Sequence, residues 1–162
     1  MKLNNEMQRL LVSSPVTREL TPELVSIAER GFQVVGDCYL LASLLEREIN
    51  VGRRDFQDAT GYECFINSLH IEDYDETFPL PQAIQFIHRI FQVWNKFTSR
   101  VLVAVLSADE LCVVVKFHVK RDGESWLSAD LEGYIDATML MNSTEDVKGA
   151  ISAVAGPSKS KK

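Results

Sequence analysis

The sequence predicts an α+β fold, with N-terminal helices packed on one face of a C-terminal antiparallel β-sheet. Two observations lead there. Apolar residues at helical spacing dominate the first 100 positions, and β-branched runs joined by short turns dominate the next 40. Helices and strands that segregate along the chain in this way argue for helices laid against a twisted sheet.

Each element has its own warrant. Leu3, Met7, Leu10 and Leu11 mark a short first helix, which Ser13-Ser14-Pro15 ends because proline disfavours helix in the residue before it. Thr21-Pro22-Glu23 supplies an N-cap hydroxyl, a proline at the first helical position and an acid in the first turn. Leu24, Val25, Ile27, Ala28 and Phe32 follow as its apolar residues. Gly31 and Gly36 should break that helix, with Asp37 capping a new one from Cys38 to about Ile49. The β-branched and aromatic content of Tyr62 to Ile71 favours a strand. Phe78-Pro79-Leu80-Pro81 leads into the clearest helix, whose face carries Ile84, Ile87, Ile90, Phe91 and Trp94 and extends to Phe97. Val101 to Ser107 and Leu111 to Val119 then read as a hairpin, with Ser125 to Leu127 and Tyr134 to Met141 as further strands of a meander.

A chain of 162 residues suggests one domain, placed at residues 1–155, with a disordered basic tail at 156–162. That length can bury a core without disulfides or metals. Cys38, Cys64 and Cys112 are an odd, scattered set among apolar residues, so buried free thiols are expected. No apolar run is long enough to span a bilayer, and no apolar stretch follows Lys2 as a signal peptide would require. A cytoplasmic protein with no membrane partner is the expectation.

Charge narrows the partner class. The net charge is −6, and without the three lysines of the tail it is −9. Between Asp122 and Asp146 there are seven acids and no lysine or arginine; Glu72, Asp73, Asp75 and Glu76 form a second cluster. Such a body repels nucleic acid, which is held by Lys and Arg on phosphates. It attracts a basic protein and speeds the encounter.

Chemistry-bearing motifs are few. Neither phosphate-binding glycine pattern occurs. His70, His88 and His118 lack metal-ligand spacing; His70 with Glu72 and Asp73 would form a divalent site only if another segment contributed, so neither a metal nor a cofactor is expected. On a strand, Lys116, His118 and Lys120 would share one face. Gly36-Asp37-Cys38-Tyr39-Leu40-Leu41 resembles the nucleophile segment of calpain-like cysteine proteases, where a thiolate is stabilised at a helix N-terminus. That resemblance implies a cysteine hydrolase or transferase using Cys38 with His118. The chain departs from the family pattern in four places: Gln33 is one residue too close to the cysteine, Tyr39 replaces a tryptophan, Phe117 rather than glycine precedes His118, and no asparagine precedes Trp126.

The most distinctive stretch is Arg121 to Tyr134, where Trp126, Leu127, Leu131 and Tyr134 alternate loosely with acids. An aromatic anchor within an acidic rim has the composition of a binding hot spot. The stretch is similar to segments of immunity proteins from bacterial contact-dependent growth inhibition systems. That resemblance implies a small acidic protein that binds and blocks a cognate toxin, often a nuclease. The expected toxin-binding residues are Glu72, Asp73, Asp75, Glu76, Trp126, Asp130, Glu132, Tyr134 and Asp136, with no catalytic residues. Two alternatives stand beside it: the Cys38 enzyme, and an adaptor subunit docking through the Ile84–Phe97 helix face.

Overall fold

The hairpin expected in the C-terminal half organises the molecule, and the computed structural model describes it together with the rest of residues 1–14 and 18–156. Strands β1 (Lys2–Leu3), β2 (Phe32–Val35), β3 (Cys38–Leu41), β4 (Ser68–His70), β5 (Leu102–Ala108), β6 (Val113–Val119) and β7 (Ala137–Asn142) form two sheets. The large sheet has the order β1-β7-β5-β6-β4 with every pair antiparallel, and β2-β3 is a separate hairpin. Helices are α1 (Asn5–Ser13), α2 (Pro22–Arg30), α3 (Ala59–Ile66), α4 (Pro79–Phe97) and α5 (Val147–Ala155). The α+β class read from the sequence is the class observed.

Strand alternation explains the core. Leu102, Ala104 and Leu106 of β5 and Val113, Val115, Phe117 and Val119 of β6 point to one face, where they pack against α4. From α4 come Phe86, Ile87, Ile90 and Trp94, all fully buried, with Phe86 meeting the Phe117 ring edge-on at 5.9 Å. From Ile84 to Trp94 the apolar face of this helix is therefore spent in the core, while Phe97 at its end is half-exposed. Asp75 accepts from the N–H groups of Thr77 and Phe78 in the turn that precedes the helix.

Three expectations need correction. The segment from Cys38 is strand β3 and a single 3-10 turn (Ala42–Leu44), not a helix to Ile49. Val35 pairs with Cys38, so Gly36-Asp37 is a two-residue hairpin turn; only Gly36 has positive φ, at 62°. A glycine at the first central position suits a type II′ turn, whose twist matches the flanking strands. Within Tyr62 to Ile71 the strand is confined to β4, because Asp58 caps a helix there by accepting from Gly61 N–H at 2.7 Å. Finally, the strands are not a meander. The chain leaving β6 crosses β5 to reach β7, and residues 120–136 make the crossing over the sheet face away from α4, without the expected strand at Ser125–Leu127. Helix α5, to which no element was assigned, packs against α1 and α4 through Val147 and Ile151. Pro15 and residues 157–162, on which the first helix stop and most of the tail assignment rest, lie outside the described residues.

Candidate functional site

The strand order brings the two acidic segments of the sequence to one end of the sheet. β5 ends beside the start of β6 and the start of β7, at Ala108↔Val113 and Ala108↔Ala137. β1 and β4 run antiparallel to β7 and β6, so both end there too. Across this end lie Glu132 near the end of β1, Asp136 before β7, Asp109 and Glu110 in the β5–β6 turn, and Glu72, Asp73, Asp75 and Glu76 after β4. The five strands span about 19 Å at ~4.8 Å per step. No lysine or arginine occurs in residues 71–78, 109–112 or 130–136. Among the described residues, none of these carboxylates forms an ion pair with Lys or Arg. The result is a concentration of negative charge, with the Arg18 guanidinium stacked 3.7 Å over the Phe78 ring at its edge.

The carboxylates divide by task. Asp75 and Asp109 hold backbone N–H groups of their own turns, and Asp130 accepts from Glu132 N–H. Glu132 accepts from Asn5 N–H at 2.9 Å. Glu72 accepts from Val113 N–H at 2.8 Å and contacts His70 Nδ1 at 2.8 Å. Partial burial works to raise its pKa, but the hydrogen bonds from Val113, His70 and Cys112 hold it below the ordinary carboxylate range. Asp73, Glu76, Glu110 and Asp136 are exposed. Two large apolar side chains stand among them: Leu111, 84% exposed, and Ile135, 94% exposed.

The crossing segment is pinned rather than loose. Buried Asn4 donates to the carbonyl of Asp136 at 2.8 Å, while its Oδ1 accepts from the N–H groups of Met7 and Thr138. Tyr134, half-buried, accepts from Ser128 N–H through its hydroxyl, closing the segment on itself. Trp126 does not join the acidic end. It lies on the sheet face away from α4, 41% exposed, with the Lys116 ammonium 5.7 Å from its ring centroid. There it lines a cleft of about 530 Å³ with Val103, His118, Lys120, Leu127 and Leu140. Lys116 and His118 share this face as predicted; His118 beneath the segment is only 5% exposed.

Comparison with known proteins gives a match to the model described as the Uncharacterized protein PM0498 family, over residues 2–158. The chain belongs to the PM0498 family. Uncharacterized protein PM0498 of Pasteurella multocida (strain Pm70) is 34% identical over 83 residues, covering 48% of this chain and 52% of that one. The chain thus spans about half the length of the curated relative it matches. No solved structure matches. Among the described residues, no helix is long and apolar enough to cross a membrane.

In this PM0498-family fold the Cys38 region is built for support. Cys38 lies in β3, fully buried, and donates to Asp37 Oδ1 at 3.2 Å. Burial, then that hydrogen bond, pushes its thiol up to about 12. No helix N-terminus stabilises a thiolate, so the premise of the protease-like reading is not met at this residue. His118 Nδ1 lies 3.0 Å from Val119 O, and burial holds its pKa below the ordinary imidazole range.

Beside Cys38 lies the cluster that sequence reasoning missed. Glu63, 0% exposed, accepts from Tyr39 N–H and Val119 N–H at 2.7 Å each, and from Arg121 through both oxygens at 2.7 and 2.9 Å. Arg121 also donates to Asp37 O at 2.9 Å. One turn later, Asn67 accepts from Leu41 N–H and donates to the carbonyls of Tyr39 and Phe117. Glu63 and Asn67 together staple the β2–β3 hairpin to the end of β6 and fix where the crossing segment starts. A single acid within Tyr62-Glu63-Cys64-Phe65-Ile66 was the available signal, since a carboxylate in an apolar run needs a buried partner.

Proposed function

We propose that the chain is an immunity-type protein that binds and neutralises a cognate bacterial toxin domain in the cytoplasm through the acidic end of its sheet. One observation carries this reading: the strand register gathers both acidic segments, neither of which contains Lys or Arg, around exposed Leu111 and Ile135. Apolar anchors ringed by like charge suit a basic protein surface, and a cleft that binds nucleic-acid phosphates is basic in that sense. The same field repels nucleic acid itself. The similarity of Arg121–Tyr134 to immunity-protein segments supports the reading further, with its roles redistributed. Asp73, Glu76, Glu110 and Asp136 supply the free charge, and Asp75, Asp130 and Glu132 shape the surface.

The test is affinity purification of the tagged chain from its native cells at low and high salt, beside a variant carrying Glu76→Lys, Glu110→Lys and Asp136→Lys. The reading expects one basic partner near equal stoichiometry, released by salt and absent from the variant. A partner retained equally by the variant would sink it.

A further inference from the structure

The pairing of β4 with β6 places three residues of different metal-binding chemistry together. His70 is the last residue of β4 and lies directly opposite Val114 of β6. Cys112 lies two positions before Val114, immediately ahead of β6. Glu72 follows β4 in a single 3-10 turn and reaches back to both. The ligand atoms of His70, Glu72 and Cys112 all lie within 4.8 Å of one another.

The supporting contacts are those a metal site needs. Glu72 Oε2 accepts from Val113 N–H, which orients the carboxylate and leaves Oε1 toward His70. Asp109 Oδ1 accepts from the N–H groups of Leu111 and Cys112 at 2.7 Å each, fixing the backbone that carries the thiol. The His70 side chain is 53% exposed, so one side of the cluster opens to solvent. Imidazole, carboxylate and thiolate with one open position match a four-coordinate zinc-class ion whose fourth ligand is water. Calcium and magnesium prefer oxygen-only ligands, which this set is not.

We propose that His70, Glu72 and Cys112 form a binding site for a zinc-class divalent transition metal ion. On binding, the Cys112 S–H bond breaks, the sulfur keeps the electron pair as a thiolate ligand, and the proton leaves to solvent. The site adjoins the acidic end and shares Glu72 with it, but the inference rests on the ligand geometry and not on the partner-binding reading. His70 and Cys112 are not among the residues assigned to docking.

The experiment uses the whole 162-residue chain, freed of metal by a chelator. Zn²⁺ is titrated by calorimetry, and Co²⁺ by absorbance, where a cobalt-bound thiolate gives a charge-transfer band. The expected result is one ion per chain, loss of the band in Cys112→Ser, and affinity weakened at least about tenfold in His70→Ala. Both substitutions lie outside the core, and circular dichroism verifies that the variants fold. Absence of saturable binding, or a band of unchanged intensity in Cys112→Ser, would overturn the proposal.

Discussion

Arg121→Met isolates the interaction on which the hairpin and the crossing segment both depend. The substitution keeps much of the side chain's apolar bulk but removes two hydrogen bonds to a carboxylate with no solvent exposure. Glu63 keeps only the N–H groups of Tyr39 and Val119. Breaking a buried pair by removing one partner costs about 3–5 kcal/mol, because the remaining charge stays buried. At about 2–4 °C per kcal/mol for a chain of this size, the melting temperature should drop by about 6–20 °C. A second variant separates charge burial from lost packing. Glu63→Gln with Arg121→Met removes both charges and should be more stable than Arg121→Met alone. Thermal melts followed by circular dichroism provide both comparisons. A loss under about 1 kcal/mol, or a double variant no more stable than the single one, would refute this account of the staple.

Other perturbations test other parts. Asn4→Ala removes the cap of α1 and leaves Thr138 N–H without its acceptor, so it should cost about 2–3 kcal/mol in urea unfolding; a loss within error would show that the crossing segment holds without it. With its thiol near 12, Cys38 should have on the order of one molecule in 100,000 ionised at pH 7 and resist iodoacetamide in the native protein. Mass spectrometry should find Cys112, the partly exposed thiol, alkylated first, and rapid native labelling of Cys38 would revive the enzyme reading. Stability should fall as pH drops below about 6.5, because the unfolded chain takes protons that buried His118 and, to a lesser extent, His88 do not. His118→Gln should flatten that slope in urea midpoints, whereas an unchanged slope would assign it elsewhere. Glu72 acts in a separate, lower window, its contribution being lost as pH falls through its depressed pKa.

Local chemistry made part of this legible in the sequence. The Ile84–Phe97 pattern, the Thr21-Pro22-Glu23 start and the β5–β6 hairpin each rest on spacing or turn residues within a few positions, and each is present. Gly36-Asp37 misled because the same pair serves as a helix start or as a two-residue hairpin turn; four residues on each side paired as strands decide for the turn. The Glu63–Arg121 pair spans 58 positions, which local pattern cannot reveal. The acidic segments were plain in the charge distribution, yet their meeting at one end depends on β7 crossing to the far side of β5. Cys112 supplies the second segment that His70 and Glu72 required, through a strand pairing that no spacing rule specifies.

The most direct test of the central claim is the association rate of the captured partner with this chain, measured by stopped flow across ionic strength. If the acidic end steers docking, the rate should fall steeply with salt, and the Glu76→Lys, Glu110→Lys, Asp136→Lys variant should associate about 10–1,000-fold more slowly at low salt. A rate indifferent to salt, and equal for the two chains, would contradict the account.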